Sequence, residues 1–162
     1  MGYVMFLTGG TEWGKVGSKE AEGGAVSIAA GDGSITDTEV AVYRQSLLAE
    51  LAPVVDALRQ TLGVGTVAKV AGIRETRAVH QWADGERAVR SRTVEAKLRL
   101  AFQAVTLLTH EYSPDVAARW FEHPCPQLGY RSPSKVLASS GPEDAGPGFI
   151  SAARRFVDQA AA

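Results

Sequence analysis

The chain has 162 residues, with 17 basic and 18 acidic side chains and 45% hydrophobic residues. That size and mix suit one globular domain or two small ones, and exclude collagen-like, mucin-like and fully disordered classes. The longest unbroken apolar runs, such as Tyr3 to Leu7, fall far short of the roughly 20 residues needed to cross a bilayer, so no membrane association is expected.

Residues 1–36 hold nine of the 17 glycines and little periodicity. Glycine raises the entropy lost on ordering, so this stretch reads as a flexible tail with a short strand at Tyr3–Leu7. It carries no basic leader followed by an apolar stretch and a small-residue cleavage site, so no secretory signal is expected. Gly9-Gly10-Thr11-Glu12-Trp13-Gly14-Lys15-Val16 approaches a phosphate-binding loop. The magnesium-binding Ser or Thr is replaced by Val16, and a Gly-rich stretch follows where a helix should begin, so the nucleotide reading is rejected.

From Asp37 the pattern becomes helical. Leu47, Leu51, Val54, Leu58 and Leu62 recur at three- and four-residue steps and mark one face of a helix. Thr36 or Asp37 is its N-cap, Glu39 and Glu50 take the solvent side, and Gly63 and Gly65 close it. A short helix Thr66–Ala71 ends at Gly72, and another runs from about Arg74 to Ala83. The longest spans Ser91 to about Glu111, with Val94, Leu98, Ala101, Phe102, Val105 and Leu108 on its buried stripe. Ser113-Pro114 starts a helix through Phe121, and Pro124 and Pro126 break the chain. Ser132-Pro133 opens a helix to Leu137, Gly141–Gly148 reads as a loop, and Phe149–Ala161 as a terminal helix. The fold class is all-α.

Charge is unevenly spread. Residues 1–62 carry four basic side chains against eight acidic ones, residues 63–110 eight against four, and residues 111–162 five against six. The middle third is where a polyanion would bind. It coincides with a helix-turn-helix pattern. Ala68 is small where two helices cross, and Gly72 suits a left-handed turn. Ile73, Ala78 or Val79, and Trp82 face inward, while Arg74, Thr76, Arg77, His80 and Gln81 project outward. Such side chains read base edges and grip phosphate from a helix in the major groove of double-stranded DNA. Arg87, Arg90 and Arg92 follow, placed for the backbone. The interval from Ile73 to Trp82 is one residue longer than the commonest arrangement, which points to an altered turn. The competing reading is a structural hairpin that never meets DNA.

No catalytic or metal constellation emerges. His123-Pro124-Cys125 offers two ligands where zinc takes three or four from protein, with His80 and His110 on other helices. Cys125 is the sole cysteine, so no intrachain disulfide forms, which fits a reducing cytoplasmic setting. Neither a nucleophile–base pair nor a carboxylate pair is legible, so the chain reads as a non-enzyme without a cofactor.

The ordered string Val70-Ala71-Gly72-Ile73, Val79-His80-Gln81-Trp82-Ala83-Asp84-Gly85-Glu86-Arg87, the Val94–Leu108 helix, Ala118-Arg119-Trp120-Phe121, Pro126, Leu128-Gly129, Ser132-Pro133 and Val136-Leu137 resembles the Xre/MbcA/ParS antitoxin family. The resemblance covers about residues 45–160. The run Pro124-Cys125-Pro126-Gln127 stands where that family commonly has an Asn. The resemblance implies an antitoxin that neutralises a RES-domain toxin, a class acting on NAD, and a homodimer that represses its own operon. After the glycine-rich tail (1–36), which it leaves unexplained, it implies a helix-turn-helix domain (37–110) joined by the long helix to a small helical toxin-binding and dimerisation domain (111–162). Within 114–137, aromatic anchors between prolines suit a protein interface. Trp120 and Leu137 are assigned to the core, and Phe121, Leu128, Tyr130, Arg131, Arg154 and Arg155 to the toxin contact. The alternative is a free-standing helix-turn-helix regulator without a toxin.

Overall fold

A computed structural model describes residues 6–7, 13–14, 36–48 and 50–161. It divides into two units, Met1–Ser34 and Ile35–Ala162. In the first, β1 (Phe6–Leu7) pairs antiparallel with β2 (Trp13–Gly14), Phe6 opposite Gly14 and Leu7 opposite Trp13. The expected strand is thus described only over its last two residues, and most of the expected tail and phosphate-loop segment lies outside the described residues.

Among the described residues the second unit is all-helical, with eight α-helices and one 3-10 turn. α1 (Asp37–Leu48) opens with a capping box. The Glu39 N–H donates to Thr36 Oγ1 at 3.3 Å, and the Thr36 N–H donates to Glu39 Oε2 at 2.8 Å, so Thr36 is the N-cap. Glu39 does not face solvent as expected. Its carboxylate accepts from Arg154, 115 residues later, at 2.9 Å.

The single helix expected through Leu62 is two. α1 ends at Leu48, Glu50 is extended (φ −59°, ψ 147°), and α2 (Leu51–Leu62) begins anew. Pro53 explains the break. Inside a continuous helix it would lack the N–H for an i→i−4 bond and its ring would strike the carbonyl four residues back, whereas the first turn of a new helix tolerates it. Val54, Val55, Leu58 and Leu62 are buried on the inner face of α2.

α3 (Val64–Ala71) and α4 (Thr76–Ala83) pack on α2 and on each other. α5 (Arg92–Glu111) is capped by Ser91, whose hydroxyl accepts from the Val94 N–H at 3.3 Å. Its buried stripe includes Leu98, Ala101, Val105 and Leu108, as its periodicity requires. α6 (Pro114–Glu122) and α7 (Pro133–Ser139) each start with proline at the first helical position, separated by the 3-10 turn Pro126–Leu128.

The expected Gly141–Gly148 loop is instead the first part of α8 (Pro142–Ala161). Pro142 sits at the helix start, and the Ala145 N–H bonds the Gly141 carbonyl at 3.0 Å. Pro147 deprives the helix of one bond at an exposed position. Packing on α5 outweighs that loss: Ala145, Phe149, Ala152 and Ala153 are buried, and Gly146 lies against the Leu100 side chain.

One core joins the helices on both sides of residue 110. Val54, Leu58, Val67, Val79 and Trp82 belong to the same buried cluster as Leu108, Phe121, Leu137 and Phe149. Burying each such side chain contributes about 1.5–3 kcal/mol. Lys97 is buried among them with its charge directed at the end of α7, where Nζ donates to the Ala138 carbonyl at 3.0 Å. A cation there complements the negative end of the helix dipole.

Candidate nucleic-acid interface and partner-facing segment

The corner between α3 and α4 follows from its residues. Gly72 takes the left-handed conformation (φ 72°, ψ 27°), its N–H reaching the Lys69 carbonyl and the Ile73 N–H the Ala68 carbonyl, both at 3.0 Å. That arrangement satisfies the last carbonyls of α3 and turns the chain sharply. Four residues, Gly72 to Glu75, connect the helices. α4 therefore starts at Thr76 rather than Arg74, which accommodates the extra residue in the Ile73–Trp82 interval.

α4 has two distinct faces. Val79 and Trp82 are buried, with Ile73 and Ala78 half-buried against the same core. Thr76, Arg77 and His80 are exposed and Gln81 half-buried, at the i, i+1, i+4, i+5 positions that share a helical face. Arg74 is exposed in the turn, and Arg87, Arg90 and Arg92 are exposed beyond α4. The structure thus places all eight candidate DNA-contacting residues at the surface or half-exposed. Between residues 74 and 92 five arginines face three carboxylates, Glu75, Asp84 and Glu86.

One residue of this face escaped the sequence reading. Arg59 on α2 reaches α4: Nη1 lies 3.2 Å from His80 Nδ1 and donates to Asp84 Oδ1 at 3.3 Å, while Nη2 donates to Asp56 Oδ1 at 2.6 Å. The hydrogen bond from Arg59 to Asp56, with the negative charges of both aspartates, raises the guanidinium pKa further against a smaller effect of burial. The Asp56–Arg59 spacing was visible as an i, i+3 pair. The link to residues 80 and 84 was not, because it depends on how α2 crosses α4.

The candidate toxin contacts fare differently. Phe121, expected at the surface, is fully buried. Its ring packs edge-on to Trp120 at 5.2 Å and to Phe149 at 5.8 Å. Trp120 is in the core as expected, also meeting Phe149 at 5.6 Å. The two adjacent aromatics are both inside because α6 packs against three other helices, α2, α5 and α7. The Trp120 Nε1 is buried without a hydrogen-bond partner among the described residues. Leu128 is half-buried against the core, and Arg154 is held by Glu39.

Tyr130, Arg131 and Arg155 remain exposed. Tyr130 is 75% exposed and has φ 59°, directly after Gly129 at φ 65°. It tips a tight loop held by backbone bonds that include Cys125 N–H to the Arg131 carbonyl at 3.1 Å, and Leu128 and Tyr130 N–H to the Cys125 carbonyl at 3.0 Å. The buried Cys125 thiol donates to Gln127 Oε1 at 3.0 Å at the base of this loop.

Among the described residues, no group of three or more His, Cys, Asp or Glu side chains is placed to hold a metal ion, and no helix is long and apolar enough to cross a membrane. No family model, curated protein or solved structure matches this chain.

Proposed function

We propose that this protein is a DNA-reading antitoxin: a helix-turn-helix protein that represses its own operon as a homodimer and neutralises a RES-domain toxin. The observation that carries the DNA half is the division of α4, with Val79 and Trp82 buried and Arg77, His80 and their neighbours outward beneath a run of exposed arginines. A helix of this kind enters the major groove by its N-terminal turns, while the flanking arginines hold phosphates.

The toxin half is supported by the motif string from Val70 to Leu137 and by the exposed Tyr130 and Arg131, residue types that anchor protein interfaces. With Phe121 in the core and Arg154 paired to Glu39, that contact is reduced to Tyr130, Arg131 and Arg155, with the edge of Leu128. Co-expression with a RES-domain protein, expected to be encoded beside it, tests this. A stable complex at micromolar concentration is expected, and separate elution overturns the neutralisation reading.

A second reading, a free-standing regulator, is favoured by the shared core, in which α6 and α7 pack against α2 and α3. Such a protein binds its own upstream DNA with no toxin partner. Replacing Arg77 and Gln81 together by Ala separates the two activities: sequence preference is lost, and toxin binding survives only if it exists.

A further inference from the structure

The network at the second turn of α4 carries information beyond surface charge, on the premise that α4 reads DNA. A guanidinium has five N–H donors and no acceptor. Arg59 Nη1 stands 3.2 Å from His80 Nδ1, so Nδ1 accepts, and the ring hydrogen of a neutral imidazole resides on Nε2. The other Nη1 hydrogen goes to Asp84 Oδ1 and Nη2 to Asp56, so the guanidinium is anchored by two carboxylates, one within α2 and one at the C-terminal end of α4. His80 itself is exposed. Its Nε2 lies on the far side of the ring from Arg59.

We infer that Arg59 is a positioning residue that makes His80 a hydrogen-bond donor toward nucleic acid, selecting an acceptor such as purine N7 or guanine O6. An imidazole with the opposite tautomer would present a bare nitrogen and select the amino group of adenine or cytosine instead. Arg59 also binds the carboxylate of Asp84, which lies four residues after His80 on the same face and would otherwise repel phosphate. The shared chemistry, an acceptor atom, is offered both by base edges and by phosphate oxygens, and the experiment separates them.

The test uses the full chain in two measurements. Long-range 1H–15N spectra of the imidazoles at about pH 8, where imidazole is ordinarily neutral, are expected to show His80 as the Nε2–H tautomer, with a mixture in Arg59→Met. An Nδ1–H signature in the unaltered protein overturns the inference. Selection from a randomised duplex library is then compared for the unaltered protein, Arg59→Met, His80→Ala and His80→Gln.

A base contact predicts that Arg59→Met and His80→Ala lose preference at the same base pair, by about two- to tenfold for one hydrogen bond. His80→Gln, whose amide both accepts and donates, retains it. A phosphate contact weakens binding evenly across sequences and supports the donor role, but not base selection. Unchanged preference and affinity in Arg59→Met overturn the inference. If the unaltered protein enriches no site, the DNA-reading premise itself fails, whatever tautomer is found. Where Arg59→Met is unfolded by circular dichroism, Arg59→Lys, which keeps a donor and the charge, replaces it and is expected to retain the tautomer.

Discussion

Lys69 on α3 donates to Glu122 at the end of α6 over 2.7 Å, and Thr66, one turn earlier, donates to the other carboxylate oxygen over 2.9 Å. This clamp ties α3 to the segment leading to the Tyr130 loop. Burial acts to raise the Glu122 pKa, but the hydrogen bonds from Lys69 and Thr66, the Lys69 charge and a Ser134 bond together hold it below the ordinary value.

The clamp predicts an acid-dependent stability. A carboxyl depressed in the folded state contributes fully above its unfolded pKa of about 4.3. The contribution disappears as pH falls through the lower folded value. Urea unfolding followed from neutral pH downward should therefore show Glu122→Gln less stable than the unaltered protein near neutrality, with the difference shrinking below the unfolded value. A gap that stays constant with pH rules the clamp out as the source.

Replacing Gly72 tests the corner. A Cβ there would meet only the Ala138 carbonyl at 3.9 Å, an ordinary contact, so space is not the obstacle. The φ of 72° is. Gly72→Ala is expected to destabilise by about 1–2 kcal/mol, the penalty of a left-handed L-residue. Equilibrium unfolding measures it.

Phe121 and Tyr130 should separate cleanly although both are aromatic residues of the same stretch. Phe121→Ala removes a fully buried ring touching Trp120 and Phe149, and should destabilise the fold by about 3–5 kcal/mol. Tyr130→Gly removes an exposed ring from a left-handed position, so stability should hold or rise by up to about 1 kcal/mol. Partner binding by pull-down should fall sharply in Tyr130→Gly. A destabilised Tyr130→Gly would show that the loop, rather than a partner, needs the ring.

Phosphate contacts predict a salt signature. Arg87, Arg90 and Arg92 are exposed beyond the end of α4. Each replacement by Ala that removes a phosphate contact should lower the slope of log K against log salt by about 0.9. Sequence preference should be unchanged, in contrast to Arg77→Ala. Slopes unchanged from that of the unaltered protein in all three variants would place these arginines away from the duplex.

Much of the fold was legible because its signals are local. The start of the long helix at Ser91, the proline starts at Pro114 and Pro133, and the Gly72 corner are written within three or four residues of the atoms they satisfy. The inward set of α4 and α5 follows from the 3.6-residue period alone. Pro53 was equally local, and its break was masked by an apolar repeat that continues across it.

By itself, then, the sequence determined an all-α chain, which faces of its helices are apolar, and where two short helices meet at a glycine corner in a basic stretch, since each depends on neighbours one turn apart. Tertiary structure alone decided that Pro142–Ala161 is continuous helix on α5, that Phe121 is inside while Tyr130 is outside, and that Arg59 grips His80 and Asp84. Contacts of this kind join residues 21 to 115 positions apart, as in the Arg59–His80 and Glu39–Arg154 pairs. Helix periodicity says which way a side chain points from its own axis, but not which other helix is waiting there.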